Sequence, residues 1–199
     1  MTPETEKQIY ESFRDTMGNV MNPIQEASNK MTDWPGGQAE AMRDIALACS
    51  PQTHRAALRR LCEKMEDLID GRVSGVLKKA LEPEIERLHG TLEKLRDASI
   101  AYAGFQEPYA GLGGTIRLAI ETGTQPWNIL TGLAGKHPYQ VQRDDLVSRQ
   151  HSAFAGFTDT FIALMLAMES ALSTHTGRHF SFREIYDTVI DPDGSKSES

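Results

Sequence analysis

The sequence has no long uninterrupted apolar run. A helix that crosses a bilayer needs about 20 predominantly apolar residues, whereas the most apolar run, Phe161 to Met168, is much shorter and is followed by Glu169. The first residues are acidic and polar, and they lack the basic and apolar regions of a secretory signal. We therefore expect no contact with a membrane and a cytoplasmic location.

Cysteine is also scarce. The chain has 199 residues and two cysteines, Cys49 and Cys62, and both fall on apolar stripes of predicted helices. A free cysteine behaves as a small hydrophobic residue. We predict two buried thiols, which fits a reducing compartment.

Long basic tracts are missing, and the net charge is -7. Binding to a nucleic-acid backbone needs Lys and Arg to replace counterions on the phosphates, so the composition disfavours nucleic acid as a partner. One local exception is a basic cluster early in a predicted helix, where positive charge opposes the helix dipole. Arg55, Arg59 and Arg60 could contact an anion there. The alternative is an ordinary solvated helix surface.

Motifs of catalysis and metal binding are absent as well. The glycine-rich stretches lack the spacing of phosphate-binding loops, and no nucleophile elbow occurs. Glu86 and His89 form a single Glu-x-x-His pair, whereas a di-iron bundle uses two such pairs and two further carboxylates. His175 and His179 are separated by Gly177, which should end their helix. We predict no catalytic residue, no metal ligand and no cofactor.

Helical periodicity is what the sequence does have, and no strand pattern competes with it. Thr2-Pro3-Glu4 is typical of a helix start. A heptad seam follows, and Pro23 within it predicts a kink or a break. Trp34-Pro35-Gly36-Gly37 predicts its end. The seam contains Phe13, Met17, Val20, Ile24, Ala27, Met31 and Trp34.

Further helical patterns fill the rest of the chain. A stripe of apolar residues runs from Leu58 to Leu95 and predicts two helices or one kinked helix, with the corner at Glu82-Pro83. Residues 104–114 form the clearest break, and a short helix is predicted to follow from Thr115 to Thr122. The last long helix should begin at His137-Pro138 and end before Gly177.

These patterns predict an all-α fold, an antiparallel helical bundle of four to six helices with a kinked N-terminal helical arm. We assign residues 1–37 to the arm, 38–190 to the bundle and 191–199 to a mobile polar tail. If the arm is separate, its deletion should leave a folded remainder. The pattern does not say whether the seams pair within one chain or with a second copy.

The prediction for function is a non-enzymatic protein–protein interaction module, such as an inhibitor, adaptor or assembly subunit. Its partner is another protein or a second copy of the chain. An apolar helix face suits reversible docking, and aromatic residues supply much interface energy; the aromatics beside Gly/Pro-rich connections could instead plug the core. The candidate partner-binding residues are Phe13, Met17, Val20, Ile24, Met31, Trp34, Tyr109, Trp127 and Tyr139.

The alternative function is a small helical enzyme, or a ligand- or metal-binding protein, whose site forms between helices. That interpretation would be favoured if Glu86 and His89 faced His151 or His175 inside the bundle.

Overall fold

The computed structural model describes residues 1–69, 75–123 and 138–185. Helix accounts for 89% of these residues, and they contain no strand. In chain order the helices are α1 (Pro3–Asn29), α2 (Pro35–Ala48), α3 (Pro51–Ile69), α4 (Val76–Gln106), α5 (Leu112–Gly123) and α6 (Pro138–Thr176). A 3₁₀ turn, Glu107–Tyr109, lies between α4 and α5. Because α2 packs on α4 and α4 packs on α6, the predicted all-α helical bundle is confirmed.

The helix ends follow the local sequence. The backbone N–H of Thr5 donates to Thr2 Oγ1 at 3.1 Å, so the threonine caps α1 as predicted. Proline is the first residue of α2, α3 and α6, where its missing N–H costs nothing. Gly177 has a φ of +66° and donates its N–H to Ser173 O at 3.0 Å, which confirms the predicted end of α6.

The break after α1 differs from the prediction. Helix α1 ends at Asn29, and Pro35, Gly36 and Gly37 are the first turn of α2 rather than a loop. A Cβ on Gly36 would lie 2.6 Å from the Trp34 ring, and one on Gly37 would lie 2.0 Å from Thr32 Oγ1. The glycines therefore serve close side-chain packing over the start of α2.

The stripe forms two helices, α3 and α4, which is one of the two predicted alternatives. The two helices do not divide at Glu82-Pro83, because α4 runs through both residues. Gly75, directly before α4, has a φ of +82°, a left-handed conformation that suits glycine. Pro83 lies in the interior of α4, where it removes one backbone donor from a helix of 31 residues. Pro23 likewise lies inside α1 without ending it.

The break predicted over 104–114 is shorter in the structure. Helix α4 continues to Gln106, and α5 begins at Leu112 instead of Thr115. The predicted 191–199 tail lies outside the described residues.

The chain divides into two compact units. Unit 1 takes residues 1–23, 50–93 and the described part of 156–199; unit 2 takes 24–49 and the described part of 94–155. In unit 1, α3 and α4 are antiparallel neighbours, because Glu63 pairs with Lys78 while Arg55, eight positions earlier, pairs with Glu86. The segment after α6 packs on α1 in this unit, where the Phe182 and Phe13 rings stack at 3.8 Å.

Hydrogen bonds between polar side chains connect the helices of unit 2. Tyr102 Oη and Gln106 Nε2 both donate to Gln38 Oε1, at 3.1 and 2.9 Å. Tyr139 Oη donates to Gln106 Oε1 at 2.8 Å. These bonds join α2, α4 and the first turn of α6.

Helix α6 is long and apolar enough, by length and composition, to cross a membrane. The same helix supplies core residues in this structure, because Phe157, Phe161, Leu164 and Leu172 are fully buried. A core helix passes the same test of length and composition as a membrane span, so the predicted absence of membrane contact stays a prediction.

Candidate functional site

The structure buries most of the predicted partner-binding seam of α1. Phe13, Met17, Val20 and Ile24 are at most 1% exposed, so they pack within the chain itself. A heptad seam has the same sequence pattern whether its partner helix belongs to the same chain or to another. We therefore do not carry these four residues into the proposed interface.

Met31 and Trp34 lie beyond the end of α1 and are exposed, Trp34 by 52%. The indole lies over Gly36 of the first turn of α2, which leaves part of the ring at the surface of unit 2. These two residues stay candidates for partner contact.

Tyr109 and Tyr139 pack on each other at 4.9 Å between ring centroids, and Tyr139 also stacks on Phe105 at 5.0 Å. Tyr139 is buried, and burial raises the pKa of its hydroxyl group. Its ring and its bond to Gln106 make it a core residue of unit 2. Trp127, the other predicted aromatic contact, lies outside the described residues.

The predicted anion contact is largely occupied by carboxylates of the same chain. Arg59 contacts Glu82 and, at 3.0 Å, Glu86, while Arg55 contacts Glu86 at 2.5 Å. Hydrogen bonding from Arg59 lowers the pKa of Glu82. Arg60 is exposed. Of the three arginines, it is the one that takes no part in these ion pairs.

Groups suited to catalysis are not brought together in the part of the chain that the structure describes. Burial raises the pKa of Cys49 and of Cys62 to about 12, so both thiols stay protonated and unreactive at neutral pH. Both are buried free thiols, as predicted. His89 Nε2 lies 3.8 Å from Glu93 Oε1. Among the described residues, no group of three or more potential ligands could hold a metal ion.

An apolar groove lies between α2 and α4 in unit 2. Its volume is about 460 Å³, and we call it the α2–α4 groove. Small residues line part of it, and the large side chains Leu47 and Ile100 are 75% and 54% exposed. The lining residues are Arg43, Ala46, Leu47, Arg96, Ile100, Ala103, Gly104 and Glu107.

The charged lining residues of this groove have partners. Arg43 Nη2 donates to Glu107 Oε1 at 2.7 Å, and Arg96 donates to the neighbouring Asp97 at 3.0 and 3.1 Å. An apolar centre with paired charges at its edge is the anatomy of a protein–protein interface.

Gly104 opens the groove further. A Cβ at this position would meet no atom within 4 Å. A side chain introduced here would therefore point into open space, which makes the position useful for filling the groove without disturbing the core.

A second apolar surface of unit 2 is a ridge on α5. Leu112, Ile116 and Ile120 are 80%, 51% and 57% exposed, and their spacing of four residues places them along one helix face. We call these three residues the α5 ridge. Gly114 lies on another face and packs against the 3₁₀ turn, because a Cβ on it would lie 2.4 Å from Pro108 O.

A larger groove between α4 and α6, of about 620 Å³, has a different character. Alanines and serines provide most of its lining, with Lys94, Asp97 and Arg149 among them. It offers fewer large apolar anchors than the α2–α4 groove.

The sequence did contain a signal for the exposed apolar residues. Met42 and Ile45 are the large inward residues of α2, and Leu47 falls off that stripe. Ile100 falls off the α4 stripe in the same way. A single large apolar residue on the polar face of a helix is common on any protein. The two residues mark a shared surface only because the structure places both along one groove.

Comparison with known proteins adds no family to this description. No protein-family model, no curated protein and no solved structure matches the chain.

Proposed function

We propose that this protein is a non-enzymatic interaction module whose α2–α4 groove binds the apolar face of a helix. The observation that carries the proposal is the pair of exposed large side chains, Leu47 and Ile100, beside the small residues of the groove. A helix docks in such a groove through apolar residues spaced three or four apart. Ala46, Ala103 and Gly104 leave the room that the incoming side chains need.

The energetic argument rests on the exposed apolar surface. Removing apolar surface from water gains roughly 25 cal/mol per Å². Leu47 and Ile100 are more than half exposed in the free protein, so a partner helix has substantial area to cover. The paired arginines at the edge add orientation more than affinity.

The alternative function, a catalytic or metal site between helices, gains no specific support. Glu86 is engaged by Arg55 and Arg59. No described group of potential ligands includes it or His89. We therefore argue the interaction module alone.

A photo-cross-linker at position 100 tests the proposal. We expect p-benzoylphenylalanine in place of Ile100 to yield one discrete protein adduct when the protein is irradiated in its own host. Mass spectrometry of the adduct should map the cross-link to an amphipathic helix. The same cross-linker in place of Leu166, which is exposed on α6 in unit 1, should yield no such adduct.

Two glycine variants provide the matched control. Gly104→Arg fills the groove and should reduce the adduct at least tenfold. Gly90→Arg makes the same change in α4, also where a Cβ meets no atom within 4 Å, and should leave the adduct unchanged. An adduct that persists in Gly104→Arg, or that forms equally well from position 166, contradicts the proposal.

A further inference from the structure

We propose that the α2–α4 groove is occupied by the α5 ridge of a second copy of this chain, so that two copies exchange ridges in a reciprocal dimer. The inference rests on the proposed function and names the occupant of its groove. Two complementary apolar surfaces, one convex and one concave, lie in the same unit.

The two surfaces agree in length. Leu112 and Ile120 are eight residues apart, and a helix rises 1.5 Å per residue, so the ridge is about 12 Å long. The α4 side of the groove extends from Arg96 to Gly104, which is also eight residues and about 12 Å. The ridge can therefore contact the groove along its whole α4 wall.

The packing of α5 keeps the ridge available. Helix α5 rests on the 3₁₀ turn through Gly114, where a Cβ would collide with Pro108 and Tyr109. The ridge residues are on a different face of the helix and are more than half exposed. Leu47 and Ile100 are exposed in the same chain, so the chain's own α5 does not cover the groove.

Charge does not oppose this contact between two copies of one chain. The whole chain carries a net charge of -7, so two copies repel at long range. The groove pairs its two arginines with Glu107 and Asp97, and the three side chains of the ridge are apolar. Both surfaces are therefore close to neutral and meet without that repulsion.

The area predicts a weak but specific dimer. In a reciprocal, two-fold symmetric contact each copy buries its ridge and its groove. The exposed parts of five large side chains, used twice, come to roughly 1,000 Å², which is about the minimum for a specific interface. We expect a dissociation constant of about micromolar size.

Sedimentation equilibrium of the full chain, without added ligands, tests the dimer. Between about 1 and about 200 µM, a range that brackets a micromolar constant, the wild type should change from monomer to dimer. Ile116→Glu on the ridge and Ile100→Lys in the groove should each weaken association at least tenfold, because each places a charge in the apolar contact.

The double variant distinguishes a direct contact from two unrelated effects. Ile100→Lys together with Ile116→Glu places opposite charges on facing surfaces and should restore association toward the wild-type constant. Leu166→Glu, an equally exposed apolar position of unit 1, should not change association. Thermal melts followed by circular dichroism check that every variant stays folded.

A wild type that remains monomeric over the whole range overturns the reciprocal dimer, and so does a double variant that associates no better than the single ones. If the wild type is monomeric while position 100 still cross-links to a helix of a different protein, the groove binds another partner and the proposed function stands. If position 100 also yields no adduct, both proposals fail.

Discussion

Glu66 is a buried residue of α3 whose carboxylate caps the start of α4. It is 6% exposed on α3, and its oxygens accept the backbone N–H groups of Gly75 at 2.7 Å and Lys78 at 3.0 Å. The first N–H groups of a helix lack partners within that helix and carry partial positive charge. Glu66 thus caps α4 from a distance along the chain, which local sequence rules for capping do not reveal.

Removing this cap should be costly. We expect Glu66→Ala to lower the free energy of unfolding by about 1–2 kcal/mol, because it leaves two partly buried backbone donors of α4 without their acceptor. Urea unfolding followed by circular dichroism measures the loss. Glu63→Ala is the control, since Glu63 forms a more exposed ion pair with Lys78 and should cost under about 1 kcal/mol. Equal losses for the two variants would contradict the capping role.

Glu82 makes stability depend on pH. Hydrogen bonding from Arg59 lowers the pKa of Glu82 in the folded protein, and the unfolded value is about 4.3. The stabilisation is therefore complete above the unfolded pKa and is lost as the pH falls through the folded one. We expect Arg59→Gln to reduce the difference in unfolding free energy between pH 7 and pH 3.

A direct titration separates this effect from other carboxylates. The carboxyl carbon of Glu82, followed by NMR, should titrate with a midpoint below about 4.3 in the wild type, and the midpoint should rise in Arg59→Gln. Arg14→Gln removes an exposed pair with Asp15 and should leave the Glu82 midpoint in place. A Glu82 midpoint at or above the unfolded value would show that the ion pair does not hold in solution.

At the scale of the element, α5 depends on one glycine for its position. Gly114 approaches the 3₁₀ turn so closely that a Cβ would lie 2.4 Å from Pro108 O and 2.7 Å from Tyr109 Cα. Because these neighbours are backbone atoms, they cannot move aside as a flexible side chain does. The sequence predicted a short helix in this region but not which of its glycines carries the contact.

We expect Gly114→Ala to displace α5 from the 3₁₀ turn and to increase amide hydrogen exchange across residues 112–123 at least tenfold. The neighbouring Gly113→Ala has open space for its methyl group and should slow exchange slightly, since alanine favours helix over glycine by about 1 kcal/mol. If amide hydrogen exchange is equally fast in both variants, Gly114 does not position α5.

At the scale of the whole molecule, α1 is part of the core. Ile9, Phe13, Met17, Val20 and Ile24 are fully buried or nearly so. Each large apolar side chain contributes about 1.5–3 kcal/mol when it is buried, and a whole domain is stable by only about 5–15 kcal/mol. The burial of α1 is therefore comparable to the entire stability of the protein.

Deletion of residues 1–37 should accordingly abolish the cooperative thermal melt, in contrast to the behaviour of a separate arm. The control is Lys7→Ala, which removes an exposed ion pair with Glu11 from the same helix and should leave the melt intact. A truncated protein that melts cooperatively at the wild-type temperature would support the prediction that residues 1–37 form a separate arm.

The sequence by itself determined the helices of this protein, because periodicity, capping residues and prolines act over a few neighbouring positions. Thr2 at the start of α1, Gly177 at the end of α6 and the buried thiols of Cys49 and Cys62 were all predictable on that basis. Only the tertiary structure decided which apolar faces are satisfied within the chain. The seam residues of α1 and the exposed residues Leu47, Ile100 and Ile116 are all apolar side chains on helices. The two groups differ in their distance from a neighbouring helix, which decides whether they are buried. That distance depends on contacts between residues far apart in the chain, such as Phe13 with Phe182 and Glu66 with Gly75, which no local pattern encodes.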